Sequence, residues 1–213
     1  MQKNLEEKFR LFCNSKNLNL NQNQILTIKK LQDFYQSNFG SSILYILKKK
    51  KIKRGFYLQG GVGVGKTMIL DFFFNFISQK KLRLHFNEFM LNFHDFVHEN
   101  KNKEDDNIID LFVKNLKSKV SLIYFDEFQV TNIVDAMILG KLFDKIFNAN
   151  IKIIITSNIM ISELYKDGLQ RDQFLPFIDI MKKNSINHEL IIEDDYRKSK
   201  ENQKQRYFFT LNQ

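Results

Sequence analysis

Apolar and polar positions along this chain change their spacing repeatedly, and each change marks the boundary of an element. Ile25, Ile28, Leu31, Phe34 and Tyr35 recur every three or four residues. That repeat lines one face of an α-helix and predicts a helix over residues 23–37. Gly55-Phe56-Tyr57-Leu58-Gln59 is a short apolar run ending in glycines, as a buried strand does. The next helix should begin inside the glycine loop and carry Met68, Ile69, Leu70, Phe72, Phe73 and Phe76. Leu82-Arg83-Leu84-His85-Phe86 alternates apolar with polar, the period of a second strand.

Helices are expected over residues 88–99 and 107–117, with the polar stretch 100–106 as the loop between them. Leu122-Ile123-Tyr124-Phe125 reads as a third strand and residues 133–147 as a strongly apolar helix. Asn132 and Asp135 resemble a capping pair at its start. Ile151-Lys152-Ile153-Ile154-Ile155 is a fourth strand, followed by a broken helical region over 162–183. Its one proline, Pro176, is expected at the first turn of the second half. Residues 188–193 make a fifth strand. Strands that alternate with helices, and are β-branched and nearly all apolar, belong to a parallel sheet covered on both faces. The expected class is therefore α/β, with five mostly parallel strands and no internal repeat.

Composition narrows the picture further. The chain has 213 residues, 43% hydrophobic and 14% aromatic, enough for the core of one large domain and against global disorder. One cysteine, Cys13, cannot form an internal disulfide, which excludes a disulfide-built secreted scaffold and fits a reducing compartment. Glu6 and Glu7 lie among the first bases, and no continuous apolar run precedes them. The N-terminus thus reads neither as a signal peptide nor as an acid-free transit peptide. No stretch approaches the roughly 18 apolar residues of a spanning helix, so a soluble, cytoplasmic protein is expected. A net charge of +9 and a pI near 9.4 ordinarily point to nucleic acid or an acidic membrane surface. Here the excess of Lys, Asn, Ile and Phe matches what AT-rich coding favours. The densest basic run, residues 48–54, fits a solvated approach to the first strand, with a docking patch as the other reading.

Against this background Gly60-Gly61-Val62-Gly63-Val64-Gly65-Lys66-Thr67 satisfies G-x-x-x-x-G-K-[ST]. Triphosphate is strongly anionic, so its site needs many donors at close range. Glycines let the backbone turn its N–H groups inward, and the following helix adds its positive end. Lys66 would reach the β- and γ-phosphates, and the Thr67 hydroxyl would ligate Mg²⁺. The strand before and the helix after are the context this motif requires. Asp126-Glu127 closes the third strand: Asp126 would hold the Mg²⁺ hydration shell and Glu127 would polarise the attacking water. Apolar strands ending in an acid are common, and the upstream glycine loop is what raises this one.

Asn158, ending the fourth strand in Thr156-Ser157-Asn158, is placed to orient the lytic water and sense the γ-phosphate, since strand C-terminal ends line the ligand crevice of open α/β sheets. Its bland alternative is a turn-forming asparagine. Arg171 lies where multi-subunit ATPases supply an arginine finger to a neighbour's site, against the reading of a generic surface arginine. His94-Asp95-Phe96-Val97-His98 superficially matches a zinc helix, but Asp replaces Glu and no third ligand is evident. It reads better as a half-exposed helix.

Taken together the motifs resemble the ZapE-type cell-division ATPases of bacteria, whose mitochondrial relatives form the AFG-like ATPase family. The resemblance runs from about Arg54 to Arg197. It is carried by Gly55-Phe56-Tyr57-Leu58 into the glycine loop, His85-Phe86-Asn87-Glu88-Phe89-Met90, Phe125-Asp126-Glu127-Phe128-Gln129-Val130, Thr156-Ser157-Asn158, Leu164-Tyr165-Lys166-Asp167-Gly168-Leu169-Gln170-Arg171, Phe174-Leu175-Pro176-Phe177-Ile178 and Asp195-Tyr196-Arg197. Asn87 and Asn132 depart mildly from the family's usual His and Asp. The likeness implies a P-loop domain of AAA+ type that uses Mg²⁺ and ATP, with Lys66, Thr67, Asp126, Glu127, Asn158 and Arg171 in the roles above.

For bacterial members it implies a role near the division ring, and for mitochondrial ones the handling of inner-membrane proteins. A protein partner, homo-oligomerisation of the full-length form and peripheral membrane association are the matching expectations; nucleic acid is not an expected partner. Family members continue beyond Arg197 into a helical lid with a second arginine sensor; the expectation here is either a fragment or a shortened member without that region, and in both cases the nucleotide should be less enclosed. The expected organisation is a helical extension over 1–53, the ATPase core over 54–197 and a polar tail over 198–213. The rival readings are a nucleic-acid-stimulated ATPase like the helicase loaders and a nucleotide-binding scaffold without turnover.

Overall fold

Five short strands carry the architecture: β1 (Gly55–Gln59), β2 (Lys81–His85), β3 (Leu122–Asp126), β4 (Lys152–Ser157) and β5 (Ser185–Glu189). In the computed structural model, which describes residues 5–40, 52–100 and 105–192, they pair in the order β2-β3-β4-β1-β5. Every pairing is parallel. The basic residues 48–51, the loop residues 101–104, the Asp195-Tyr196-Arg197 motif and the polar tail over 198–213 lie outside the described residues.

Seven helices cover the sheet among the described residues: α1 (Leu5–Ser15), α2 (Gln22–Phe39), α3 (Lys66–Phe76), α4 (Phe86–Glu99), α5 (Asp105–Lys119), α6 (Ile133–Asn148) and α7 (Arg171–Asn184). Successive strand residues point to opposite faces, and the core divides accordingly. Phe56, Leu58, Leu122, Tyr124 and Ile154 pack against α1, α2 and α3 through residues such as Phe9, Leu31 and Phe73. Tyr57, Ile123, Phe125, Ile153 and Ile155 face α4 to α7 through Phe89, Phe112, Phe143 and Phe177. The central strands β3 and β4 are buried at every position. Edge strand β2 leaves Arg83 and His85 outside the core, which is why its sequence alternates.

Several expectations shift. Helix α1 falls within the helical extension expected over 1–53, but no periodicity delimits it: Leu5, Phe9 and Cys13 form a one-residue-wide buried stripe at i, i+4, i+8, too narrow to stand out among polar neighbours. Phe86 opens α4 instead of closing β2, because its ring is needed 4.4 Å from that of Phe128. Strand β5 occupies 185–189 rather than 188–193, in register with β1 from Gly55↔Ser185 to Gln59↔Glu189. Pro176 sits in the second turn of α7, inside the helix and not at its first turn, because the helix already begins at Arg171, directly after Gln170 at φ 55°. Its ring packs on α6, where a Cβ added to Gly140 would lie 3.6 Å from the Pro176 Cβ. Asn132 does cap α6, accepting from the Val134 N–H at 2.8 Å, but Asp135 does not reciprocate. It lies 2.7 Å from His94 Nε2 instead, which ties α4 to α6 and gives that histidine a packing role.

Candidate active site

At its C-terminal end β1 runs into a loop whose path only glycine permits. Gly63 and Gly65 have φ of 87° and 90°, the left-handed region that a Cβ disfavours. A Cβ on Gly60 would meet the Leu190 carbonyl oxygen at 2.5 Å. Gly65 caps α3 without a side chain, so the first-turn N–H groups keep no capping partner of that kind and face the loop. The result is the anion cradle expected of a helix N-terminus. Lys66 is buried, and its ammonium donates to the carbonyls of Gly60 and Gly61 and to Asn158 Oδ1, each at 2.7 Å. A cavity of about 270 Å³ opens here, lined by Val62, Gly63, Gly65, Lys66, Thr67 and Met68 from the loop and α3, by Glu127, and by Thr156, Ser157 and Asn158 from β4 and the turn after it.

The end of β3 supplies two carboxylates with opposite surroundings. The Asp126 side chain is 8% exposed. Tyr124 Oη and Thr156 Oγ1 donate to its Oδ1 at 3.0 and 2.8 Å, and Arg83 Nη2 donates to its Oδ2 at 2.7 Å. Burial works to raise its pKa, but the hydrogen bonds from Arg83, Thr156 and Tyr124 outweigh burial and hold the carboxyl below its ordinary value. Glu127 is exposed and adopts φ 54°, a conformation that costs a non-glycine residue energy and is tolerated where surroundings enforce it. Its N–H donates to Thr156 Oγ1 at 3.0 Å, and the next N–H, that of Phe128, donates to the Thr156 carbonyl at 2.8 Å. The Phe128 ring is buried among Phe86, Phe143 and Phe177. Packing behind Phe128 and bonding to β4 together turn the Glu127 carboxylate out of the sheet into the cavity.

The structure thus brings Lys66, Thr67, Glu127 and Asn158 to one cavity, with Asp126 fixed at the end of β3 among its donors. Gly60 and Gly61 serve it through their carbonyls. Val64 faces the other way, its carbonyl accepting from Gln24 Nε2 at 3.2 Å. Arg171 is not among the residues lining it. That side chain opens α7 and donates from Nη2 to the Ser162 carbonyl at 2.7 Å.

The AFG1-like ATPase family matches residues 14–213 of the chain. The chain belongs to that family. It is 41% identical over 139 residues to Lactation elevated protein 1 homolog B of Danio rerio, covering 61% of this chain and 28% of that protein. It is 39% identical over 145 residues to the cell division protein ZapE of Escherichia coli K12, covering 68% of this chain and 38% of ZapE. The chain therefore spans well under half the length of these curated relatives. Among solved structures, the replication initiator DnaA bound to AMPPCP and single-stranded DNA superposes with a TM-score of 0.55 at 16% identity, over 85% of this chain and 50% of DnaA. That likeness bears on the fold, a P-loop NTPase of AAA+ type.

The donor set also fits Mg²⁺, the cation expected from the sequence. Mg²⁺ takes oxygen ligands and gives up water reluctantly, so it is held by one or two protein oxygens together with phosphates and water. Thr67 offers a hydroxyl and Asp126 an ionised carboxylate. Three of the roughly four acceptor positions of a carboxylate are already filled at Asp126, which suits contact through a bound water.

Three participants escaped the sequence reading: Arg83, Tyr124 and the Thr156 hydroxyl. Each sits inside a strand whose apolar pattern explains the strand without it. The available signal was spacing, because Tyr124 and Asp126 are two apart on β3 and must share a face. Arg83 lies opposite Tyr124 only through the β2–β3 register.

Proposed function

We propose that this chain binds ATP in the Gly60–Thr67 cradle, hydrolyses it with Glu127 as the base, and couples turnover to remodelling a protein partner. The observation that carries this reading is the single cavity shared by Lys66, Thr67, Glu127 and Asn158. Loop N–H groups and Lys66 neutralise phosphate charge, Lys66 exchanging its backbone carbonyls for phosphate oxygens. Glu127 takes a proton from the attacking water, and Asn158 orients that water while sensing the γ-phosphate. Mg²⁺, held by Thr67 and water-bridged to Asp126, would add charge stabilisation across the phosphates.

Arg171 belongs to the proposal as a group acting on a neighbouring copy. The name of the ZapE relative carries cell division, and the reading takes the division ring as the partner, with the chain in the cytoplasm and in peripheral contact with a membrane. The test is a pair of variants. Lys66→Ala should remain folded and lose affinity for a fluorescent ATP analogue. Glu127→Gln should bind the analogue and release phosphate roughly 10²–10⁴-fold more slowly. Wild-type affinity in folded Lys66→Ala would remove the central assignment. Binding without phosphate release by the unaltered chain would leave a nucleotide-binding scaffold, and stimulation by DNA or RNA would favour the nucleic-acid-dependent reading.

A further inference from the structure

Arg83 has no part in the scheme above, yet it makes two close polar contacts in the neighbourhood of the cation-binding residues. Its Nη2 donates to Asp126 Oδ2 at 2.7 Å, and its Nη1 forms an ion pair with Asp71 Oδ1 at 2.7 Å. Its guanidinium carbon stands 5.1 Å from the centre of the Tyr124 ring, the same tyrosine whose hydroxyl donates to Asp126. Asp71 belongs to α3, four residues after Thr67, so the two occupy one face of that helix. One planar guanidinium therefore spans the two elements, α3 and β3, that carry Thr67 and Asp126.

We propose that Arg83 is a positioning residue: by clamping Asp71 and Asp126 it sets the rotation of α3 against β3, and with it the spacing of the Thr67 hydroxyl and the Asp126 carboxylate that receive a divalent cation. The inference rests on the ATP reading of the site. The physical case is that the rigid guanidinium, fixed by its hydrogen bond to Asp126, holds its charge against Asp71 at a set distance, which an ammonium on a flexible stem does not. Without it, two carboxylates of like charge face each other across the α3–β3 contact and push the helix away from the strand. Groups that hold a metal ligand in this indirect way typically carry roughly 10–100-fold of metal affinity or activity.

The experiment measures affinity for a fluorescent ATP analogue twice, with Mg²⁺ and with EDTA, in the unaltered chain, Arg83→Met and Arg83→Lys. Melting temperatures are recorded alongside. Arg83→Met should match the unaltered chain in EDTA while the gain in affinity conferred by Mg²⁺ falls by roughly 10–100-fold. Arg83→Lys should lie between the two. If Arg83→Met folds poorly, Arg83→Met combined with Asp71→Asn removes the like-charge pair, and that double variant should fold while still lacking the Mg²⁺ gain. An unchanged or larger Mg²⁺ gain in Arg83→Met overturns the proposal. So does an equal loss of affinity with and without Mg²⁺, which would mark Arg83 as general support for the domain. An unaltered chain that binds no nucleotide in either condition fails the ATP reading itself, a pattern distinct from binding that the variant reproduces.

Discussion

Thr156 shows how much of the site hangs on one hydroxyl. It donates to Asp126 Oδ1 at 2.8 Å and accepts from the Glu127 N–H at 3.0 Å, so a single oxygen holds both members of the acidic pair. Thr156→Val keeps the shape and removes both bonds. The variant should lose about 1–3 kcal/mol of stability, because the buried Asp126 carboxylate loses a donor and the Glu127 N–H loses its acceptor, and phosphate release should slow while binding of the ATP analogue persists. Denaturant unfolding and a phosphate-release assay check the two halves; full turnover would show that Glu127 keeps its strained turn without Thr156. Glu127 itself was legible in the sequence as an acid after an apolar strand. Its left-handed backbone was not, because the strain is imposed by Thr156, 29 positions away in the chain and adjacent only in the folded sheet.

At the scale of elements, the N-terminal helices are fastened to the sheet edge through His188 on β5. Thr27 Oγ1 donates to the Asn23 carbonyl, so it accepts from His188 Nε2 at 2.9 Å, and Lys30 Nζ donates to His188 Nδ1 at 3.0 Å. Burial, with the Lys30 charge adding to it, pushes the His188 pKa down from 6.5 to about 4. Between those values the unfolded chain binds a proton that the folded chain refuses. Stability contributed by neutral His188 is therefore complete above pH 6.5 and declines as pH falls toward 4. His188→Gln cannot titrate, so its melting temperature should fall less steeply than the unaltered protein's over that interval. Parallel slopes would mean that His188 charges freely in the folded state. The periodicity of α2 was plain from its apolar face, whereas this polar tie needed β5 to be placed beside β1.

For the whole molecule, Arg171 raises the question of a neighbour. Its guanidinium is bonded to Ser162 at the outside of the fold and does not line the cavity of its own chain. Close to it in sequence Leu169 is 75% exposed and Leu175 42%, apolar surface of the kind that a subunit interface covers. Arg171→Ala should retain ATP binding and lose turnover, an arginine finger being worth about 10³–10⁵ in rate. Mixed with Glu127→Gln, it should recover part of the activity, since some interfaces then pair an intact Glu127 with an intact Arg171. Chains that co-purify and remain inactive would place Arg171 in cis or in a structural role.

Local patterns that need no partner elsewhere in the chain were enough for the α/β class, the phosphate loop and the acidic pair. A strand's run of β-branched residues, a helix's three-four repeat and the glycines of Gly60–Thr67 each report a constraint satisfied within a few residues. What folding alone decided are the relations between elements. The order β2-β3-β4-β1-β5 puts Arg83 opposite Tyr124 and Asn158 beside Lys66, and it sets Phe86 against Phe128. The single-file stripe of α1 becomes meaningful only when α2 and α3 supply its other wall, and Pro176 inside α7 finds its packing partner in Gly140 of α6. Side chains that act across strands have their chemistry set by register, and register depends on how the whole sheet buries its two faces.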